Sequence, residues 1–293
     1  GFKHNFFVKI KTVIAFLKCC KYLNSLEDDY VLISSYPRTS ILFSIFFSGR
    51  EKVIAHEHSS FGAHNFLIKS LRLICYKKLR SVITLTNYDK QIFSRNGINC
   101  CQIPNFSDFK KDASDIGVKS GSPLVCLSAG RMHPHKGFDR LIEIAKELAG
   151  ANIKFVIVGS GPEEARIKGL VETYSLNQLV SIFPATDNLD GFIDNSDVFL
   201  MTSTTEAAPL VMLEAFAHSK PVIAYDCPIG PRELITDGIN GFLVNDGDRL
   251  EFVTKLKLLL GSPILYNALA DGAANYAKKN SSEHNYKLWA KHF

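Results

Sequence analysis

Two glutamates, Glu206 and Glu214, flank the run Ala207-Ala208-Pro209-Leu210-Val211, and two cations, Arg131 and Lys136, share the stretch Gly130-Arg131-Met132-His133-Pro134-His135-Lys136-Gly137. An ionised carboxylate is an acceptor for hydroxyl groups. A guanidinium grips phosphate oxygens as a fork, and an ammonium neutralises them as a point charge. Pro209 suits the first position of a helix, where its missing N–H is no loss and its φ is already helical. The N–H groups of Leu210 and Val211 then have no intrahelical acceptor, and the helix dipole adds partial positive charge, so the junction invites an anion. Glu206 falls in the loop before that helix and Glu214 in its second turn, so the two carboxylates can reach one ligand from different sides. A ligand with a phosphate centre and hydroxyl-bearing ends, such as a nucleotide sugar, fits this set.

Regular elements must hold these groups in place. Residues 197–202 read as a strand leading into Glu206, and residues 124–129 as a buried strand leading into Arg131 and Lys136. The cations thus lie at a strand's C-terminal end, the edge where open α/β sheets bind ligands. Further strands are expected at 30–34, within 52–60 before a polar turn, at 81–86, within 153–162 before a glycine turn, and at 179–184 and 221–226. Helices are expected at 3–24, through 41–47, at 63–79, at 88–95 with Asn87 as cap, at 138–148, from Pro209 through Glu214, and at 250–260 and 281–293. Residues 3–24 carry Ile10, Val13, Ile14, Leu17 and Cys20 at helical spacing among Lys3, Lys9, Lys11, Lys18 and Lys21, as either a packed helix or one lying on an anionic bilayer. The alternation of strand and helix predicts an α/β class with parallel sheets.

Several look-alike motifs resolve into ordinary turn chemistry. Gly159-Ser160-Gly161 lacks the third glycine of a dinucleotide fingerprint, because Glu164 stands there. Asp246-Gly247-Asp248 has the look of a metal-binding D-x-D, yet Asp248-x-x-Glu251 fits the start of the following helix better. His56 and His58 have no third ligand at a metal-site spacing, and no metal site is expected.

With 46% hydrophobic and 22% charged residues, the composition is that of a globular protein able to bury a full core. No uninterrupted apolar run reaches membrane-spanning length. The 7 cysteines include no C-x-x-C pair and several sit in apolar runs, as expected for reduced thiols in a cytoplasmic protein. Charge is uneven: residues 1–120 carry 18 basic against 9 acidic residues, leaving 16 against 20 in 121–293. A basic front half suits either an anionic acceptor or surface, or simple solvation; no nucleic-acid partner is expected.

Taken in context, Glu206-x7-Glu214 resembles the signature of the family 4 retaining glycosyltransferases. The likeness extends through Gly137-Phe138-Asp139 and Leu141-Ile142, Ile103-Pro104-Asn105, 230–235 and 237–244. It implies a GT-B fold of two Rossmann-like domains facing a cleft: residues 1–106 an incomplete acceptor-side domain, 107–123 a linker, 124–280 the nucleotide-sugar-binding domain, and 281–293 a helix crossing back. The glycine-rich loop that opens family members is not found, so the chain is expected to be N-terminally incomplete. The resemblance assigns Arg131 and Lys136 to the diphosphate, Glu214 to the ribose and Glu206 to the donor sugar. Gly130 and residues 207–211 would line the nucleotide sugar, with Phe183 and Pro184 near the base. His58, more than His56, matches a histidine facing the donor sugar; a purely structural histidine is the alternative. The implied reaction is metal-independent transfer, with retention, from a UDP- or GDP-type donor sugar to a hydroxyl, with no bound cofactor. The implied acceptor is a glycan or polyprenyl-linked glycan of lipopolysaccharide, O-antigen or exopolysaccharide assembly, on the inner face of the cytoplasmic membrane with peripheral contact. Competing readings are an inactive glycosyltransferase-like binding subunit, a GT-B sugar-nucleotide epimerase and a nucleotide-dependent oxidoreductase.

Overall fold

The computed structural model describes residues 2–27, 29–110 and 121–293, with only the backbone for residues 2–12. Residues 111–120, the middle of the expected linker, and the side chains of Lys3, Lys9, Ile10 and Lys11 lie outside the described residues. The chain divides into two compact units, residues 1–104 with Phe293 and residues 105–292.

The first unit runs α1 (Phe2–Asn24), β1 (Leu32–Ser34), α2 (Pro37–Phe46), β2 (Val53–Glu57), α3 (Phe66–Cys75), β3 (Ser81–Thr84), α4 (Asn87–Arg95) and β4 (Cys100–Gln102). Its four strands pair in parallel in the order β1-β2-β3-β4. The central strands read as continuous apolar runs because helices cover both faces of a parallel sheet: Val53, Ile54, Ala55, Val82 and Ile83 are fully buried. Helix α1 departs from expectation. It turns Phe16, Cys20 and Leu23 to the core and leaves Val13, Ile14 and Leu17 about half exposed. Phe16 decides the orientation, since its ring packs 4.9 Å from that of Phe43. The cap of α4 is also corrected: Thr86 Oγ1, not Asn87, accepts the Asp89 N–H at 3.1 Å, and Asn87 is the first helical residue.

The second unit runs β5 (Leu124–Ala129), α5 (Phe138–Glu147), β6 (Ile153–Val158), α6 (Glu164–Thr173), β7 (Val180–Phe183), α7 (Leu189–Asp194), β8 (Val198–Met201) and α8 (Leu210–Ala217). It continues β9 (Val222–Tyr225), α9 (Gly230–Leu234), β10 (Gly241–Val244), α10 (Arg249–Gly261), α11 (Pro263–Lys279) and α12 (Ser282–Trp289). All six strands are parallel, in the order β10-β9-β8-β5-β6-β7. The chain leaves β5 toward β6 and β7, then returns to the other side of β5 with β8. That reversal opens a crevice beyond the carboxyl ends of β5 and β8.

One face of this sheet is covered by α5, α6 and α10 around Leu141, Ile167 and Leu256, the other by α8 and the second half of α11 around Met212, Phe216 and Ala273. Each fully buried large apolar side chain contributes roughly 1.5–3 kcal/mol. Helix α11, absent from the sequence expectation, starts at Pro263 with Ser262 as cap. It packs so tightly that a Cβ on Gly272 would lie 1.8 Å from the Ile239 carbonyl oxygen. Asp248 caps α10 as expected, its Oδ1 accepting the Glu251 N–H at 2.9 Å. The expected linker begins as an ordered strap: Lys110 N–H donates to the Ala217 carbonyl at 2.8 Å, and Asp108 accepts the Ser282 N–H at the start of α12 at 2.8 Å.

Candidate functional site

Both strands that border the crevice end in a loop carrying chemistry. The loop after β5 begins at Gly130 and closes in a short helical turn, Pro134–Lys136. It is laid along the end of β6: Gly130 N–H donates to Val158 O, and Met132 N–H to Ser160 O, both at 3.0 Å. The approach leaves no room for side chains, since a Cβ on Gly159 would stand 1.9 Å from Gly130 O. The glycine turn therefore seats the cationic loop. Gly137 then takes a left-handed conformation (φ 65°), and a Cβ there would come within 2.2 Å of Thr202 O at the end of β8.

Hydrogen bonds staple this loop to the one after β8. Thr202 Oγ1 donates to Gly137 O at 2.8 Å, and Thr204 N–H to His135 O at 2.8 Å. Lys136 Nζ meets Glu206 Oε1 at 2.6 Å, and Ser203 Oγ donates to the same oxygen at 2.8 Å. The two charged side chains are only 21% and 11% exposed, so this pair is screened far less than a surface one. Glu206 is backed by the loop before α9, where Gly230 N–H donates to Glu206 O at 3.2 Å. A Cβ on Gly230 would lie 2.7 Å from Glu206 Cβ. The neighbouring Cys227 thiol is pushed up to about 12, first by burial and then by the Glu206 charge. It is a packing residue here.

Arg131 is exposed, and its guanidinium has no hydrogen-bond or ion-pair partner among the described residues. One cation of the loop is thus engaged by Glu206 and the other is open to a ligand. Helix α8 starts one residue later than expected: Pro209 is its N-cap (φ −68°, ψ 110°), and Leu210 its first residue. The first intrahelical bond runs from Met212 N to Pro209 O, so the Leu210 and Val211 N–H groups precede it and point out of the helix tip. Asn105 pins the approach to that tip, its side-chain amide donating to Ala208 O at 3.2 Å.

Glu214 belongs to another neighbourhood. It is half-buried on the second turn of α8, and its carboxylate makes no hydrogen bond among the described residues. Burial raises its carboxyl above the usual range, Asp190 adds to the rise, and Lys110 and His218 partly offset it. His218 contacts Asp190 and Asp194 at 3.2 and 3.1 Å, and Lys110 holds Asp190 at 2.5 Å. Of the four expected side chains, then, Lys136 and Glu206 touch, Arg131 has no side-chain partner among the described residues, and Glu214 lies one turn into the helix beside separate charges. Phe183, at the end of β7, is 41% exposed and its ring lies 5.1 Å from that of Phe192; Pro184 is exposed beside it.

His58 is carried by the first unit, exposed just past the end of β2. Its ring is 4.1 Å from that of His56, which burial and His58 together hold down at about 4. Between them Glu57 is buried, ion-paired to Arg72 at 2.7 Å and hydrogen-bonded by the Tyr76 hydroxyl. Burial raises the Glu57 carboxyl, although Arg72 and Tyr76 pull the other way. The loop after His58 is tied down by Asp89, which accepts from Phe61 N–H at 2.8 Å. Glu57, Arg72, Tyr76 and Asp89 had no motif to mark them. A lone acid between two histidines on a strand was the available signal.

Comparisons with known proteins agree with this architecture. The family described as "Glycosyl transferases group 1" matches residues 109–279. The amylovoran biosynthesis glycosyltransferase AmsD of Erwinia amylovora is 28% identical over 279 residues, 92% of this chain and 78% of its own. An uncharacterized glycosyltransferase of Haemophilus influenzae is 31% identical over 75% of this chain, and the match spans 63% of its own length. Among solved structures, Anabaena HepE in complex with UDP superposes with a TM-score of 0.81 at 17% identity, covering 94% of this chain and 80% of that one. The lipopolysaccharide outer core galactosyltransferase WaaB gives 0.79 at 18%, covering 99% and 80%. The fold is therefore α/β with two parallel sheets, matching GT-B structures.

Proposed function

This chain belongs to the glycosyl transferases group 1 family, and from that premise we propose that it transfers a sugar from a nucleoside-diphosphate donor to a hydroxyl acceptor with retention of configuration. The observation that carries the reading is the meeting of Lys136 and Glu206 across the crevice between β5 and β8, on the loops that also carry the amide tip of α8 and the exposed Arg131. Arg131 and the tip amides bind the diphosphate, and Lys136 passes from Glu206 toward it as negative charge builds on the leaving group. Glu206 then accepts from hydroxyls of the donor sugar, with Ser203 keeping its carboxylate in place. Glu214, with free acceptor capacity on both oxygens, takes the ribose hydroxyls, and Phe183 and Pro184 border the base. For His58 the family resemblance supports a role at the donor sugar. The phosphate charge is met by protein cations, so turnover is expected to persist in chelator; loss there with rescue by a divalent ion would refute that point.

Several relatives are named for exopolysaccharide, colanic acid or lipopolysaccharide biosynthesis, and several structural neighbours are solved with UDP. These support a glycan acceptor of that class, lipid-linked in keeping with the basic first unit, and a UDP-type donor. Exposed apolar residues beside lysines in the first unit, Val13, Ile14 and Leu17 with Lys18 and Lys21 on α1, and Phe66 and Leu67 with Lys69 on α3, support peripheral membrane contact. A panel of nucleotide sugars, read by thermal stabilisation and by release of nucleoside diphosphate with and without acceptor, tests the proposal. Stabilisation without release or transfer under any condition would identify a binding subunit instead, and no stabilisation by any member would end the reading.

A further inference from the structure

His133 and His135 flank Pro134 on the cationic loop, and their imidazoles lie tilted by 47° with ring centroids 4.6 Å apart. Their Nδ1 atoms are 2.7 Å apart, a hydrogen-bond distance between two nitrogens. Two lone pairs cannot meet at that separation, nor can two N–H groups, so the pair holds one proton between the rings. The consequence lies at the far nitrogens. In the neutral pair, the ring that donates through Nδ1–H keeps a bare Nε2, and the ring that accepts carries Nε2–H. The pair thus presents one donor and one acceptor. One added proton, taken from solvent onto the bare Nε2, turns that acceptor into a donor. Both Nε2 atoms are then donors, and a single positive charge is shared through the inner hydrogen bond. That is the chemistry a phosphate oxygen pair selects.

The pair is also in the right place. His135 O accepts from the Thr204 backbone N–H at 2.8 Å, which ties the pair to the loop leading to Glu206. Lys136 follows His135 directly, and before a ligand arrives its ammonium is paired with Glu206. His133 is exposed and His135 half-buried, so both can reach a ligand on the loop. We propose that His133 and His135 are additional diphosphate-binding residues, which take up one shared proton as the anion binds. The inference rests on the donor-binding reading above and extends it to residues that its motif does not include.

The field around the pair gives the direction. His135 is held below the ordinary histidine range by burial first, then by Lys136 and by His133, while Glu206 on the facing loop works the other way. The unliganded His135 is therefore biased toward its neutral form. A bound diphosphate adds negative charge beside Lys136 and reverses that bias.

The test first finds which of UDP, GDP and CDP raises the melting temperature of the full chain. Binding of that nucleotide is then measured by calorimetry near pH 7 in two buffers of different ionisation enthalpy, for the wild type, His135→Asn and His133→Gln. Comparing proteins cancels the ligand's own ionisation, because it is common to all three. The wild type is expected to take up more protons on binding than either variant. Between pH 8 and pH 6 its affinity should gain roughly fivefold more than theirs, within the tenfold per pH unit that one coupled proton allows. Both replaced side chains are wholly or partly exposed and the Thr204 bond is to backbone, so melting curves of the free variants should match the wild type. Binding with the same proton count in all three proteins would overturn the pair and leave the donor site standing. No nucleotide binding to the wild type would remove both.

Discussion

Replacing Lys136 with Met removes one ammonium and keeps much of the apolar stem, so two separate losses can be read. The first is structural. Glu206 is only 11% exposed and its Oε1 takes both Lys136 Nζ at 2.6 Å and Ser203 Oγ at 2.8 Å, so without the cation a largely buried carboxylate keeps one neutral partner. Stranding a fully buried charge costs about 3–5 kcal/mol and breaking an exposed pair about 0–1. At 21% and 11% exposure the cost should fall between these, about 2 kcal/mol. The second loss is catalytic. A preorganised charge on a leaving group is worth about 3 kcal/mol, roughly a hundredfold in rate. Lys136→Met, Glu206→Gln and the double variant would be compared by urea unfolding and by steady-state turnover with the donor found in the nucleotide-sugar screen. The double variant should recover most of the stability lost by Lys136→Met, because no charge is left stranded, while turnover stays at least about a hundredfold down. Turnover of Lys136→Met within threefold of wild type would refute the leaving-group role. Unchanged stability in that variant would refute the account of the pair.

Other expectations concern separate parts of the molecule. Glu214→Gln should weaken nucleotide binding by about 10-fold, the scale of a hydrogen bond to a charged group, in a calorimetric titration. The same change should raise the melting temperature at pH 7, because burial raises the folded carboxyl's pKa. The native Glu is then most favourable when protonated, and its contribution is lost as pH rises through the folded value, so the gain from Gln should shrink toward acid pH. Gly137→Ala should destabilise by about 2 kcal/mol or more in urea unfolding, because its φ of 65° is strained for alanine and its Cβ would meet Thr202 O at 2.2 Å. His56, held at about 4 in the fold against an ordinary 6.5, stabilises the neutral form. That contribution is present above pH 6.5 and lost as pH falls toward 4; a His56→Gln variant with the same acid sensitivity as wild type would disprove it.

The main elements of the second unit were legible because a parallel sheet covered on both faces writes its strands as unbroken apolar runs, such as Phe155–Val158 or Val198–Met201. Helix α11 is weakly marked in the sequence because, after Tyr266 and Leu269, its buried face continues with Ala270, Ala273, Ala274 and Ala277, whose small side chains give weak periodicity although they pack closely. The orientation of α1 is not written in its sequence, for the opposite reason. Apolar residues lie on more than one of its faces, and only contact with Phe43 selects the one bearing Phe16.

Residue types and spacing alone determined that Arg131, Lys136, Glu206 and Glu214 sit at strand ends and a helix start, since those follow from local periodicity and capping. Which of them share a partner is a matter of tertiary structure. Lys136 and Glu206 are seventy residues apart in sequence and 2.6 Å apart in space, because the reversal of strand order places β8 beside β5. The same packing gave Glu214 to Lys110, Asp190 and His218. Long-range contacts of this kind depend on how helices and loops close over a sheet, and no single stretch of chain encodes them.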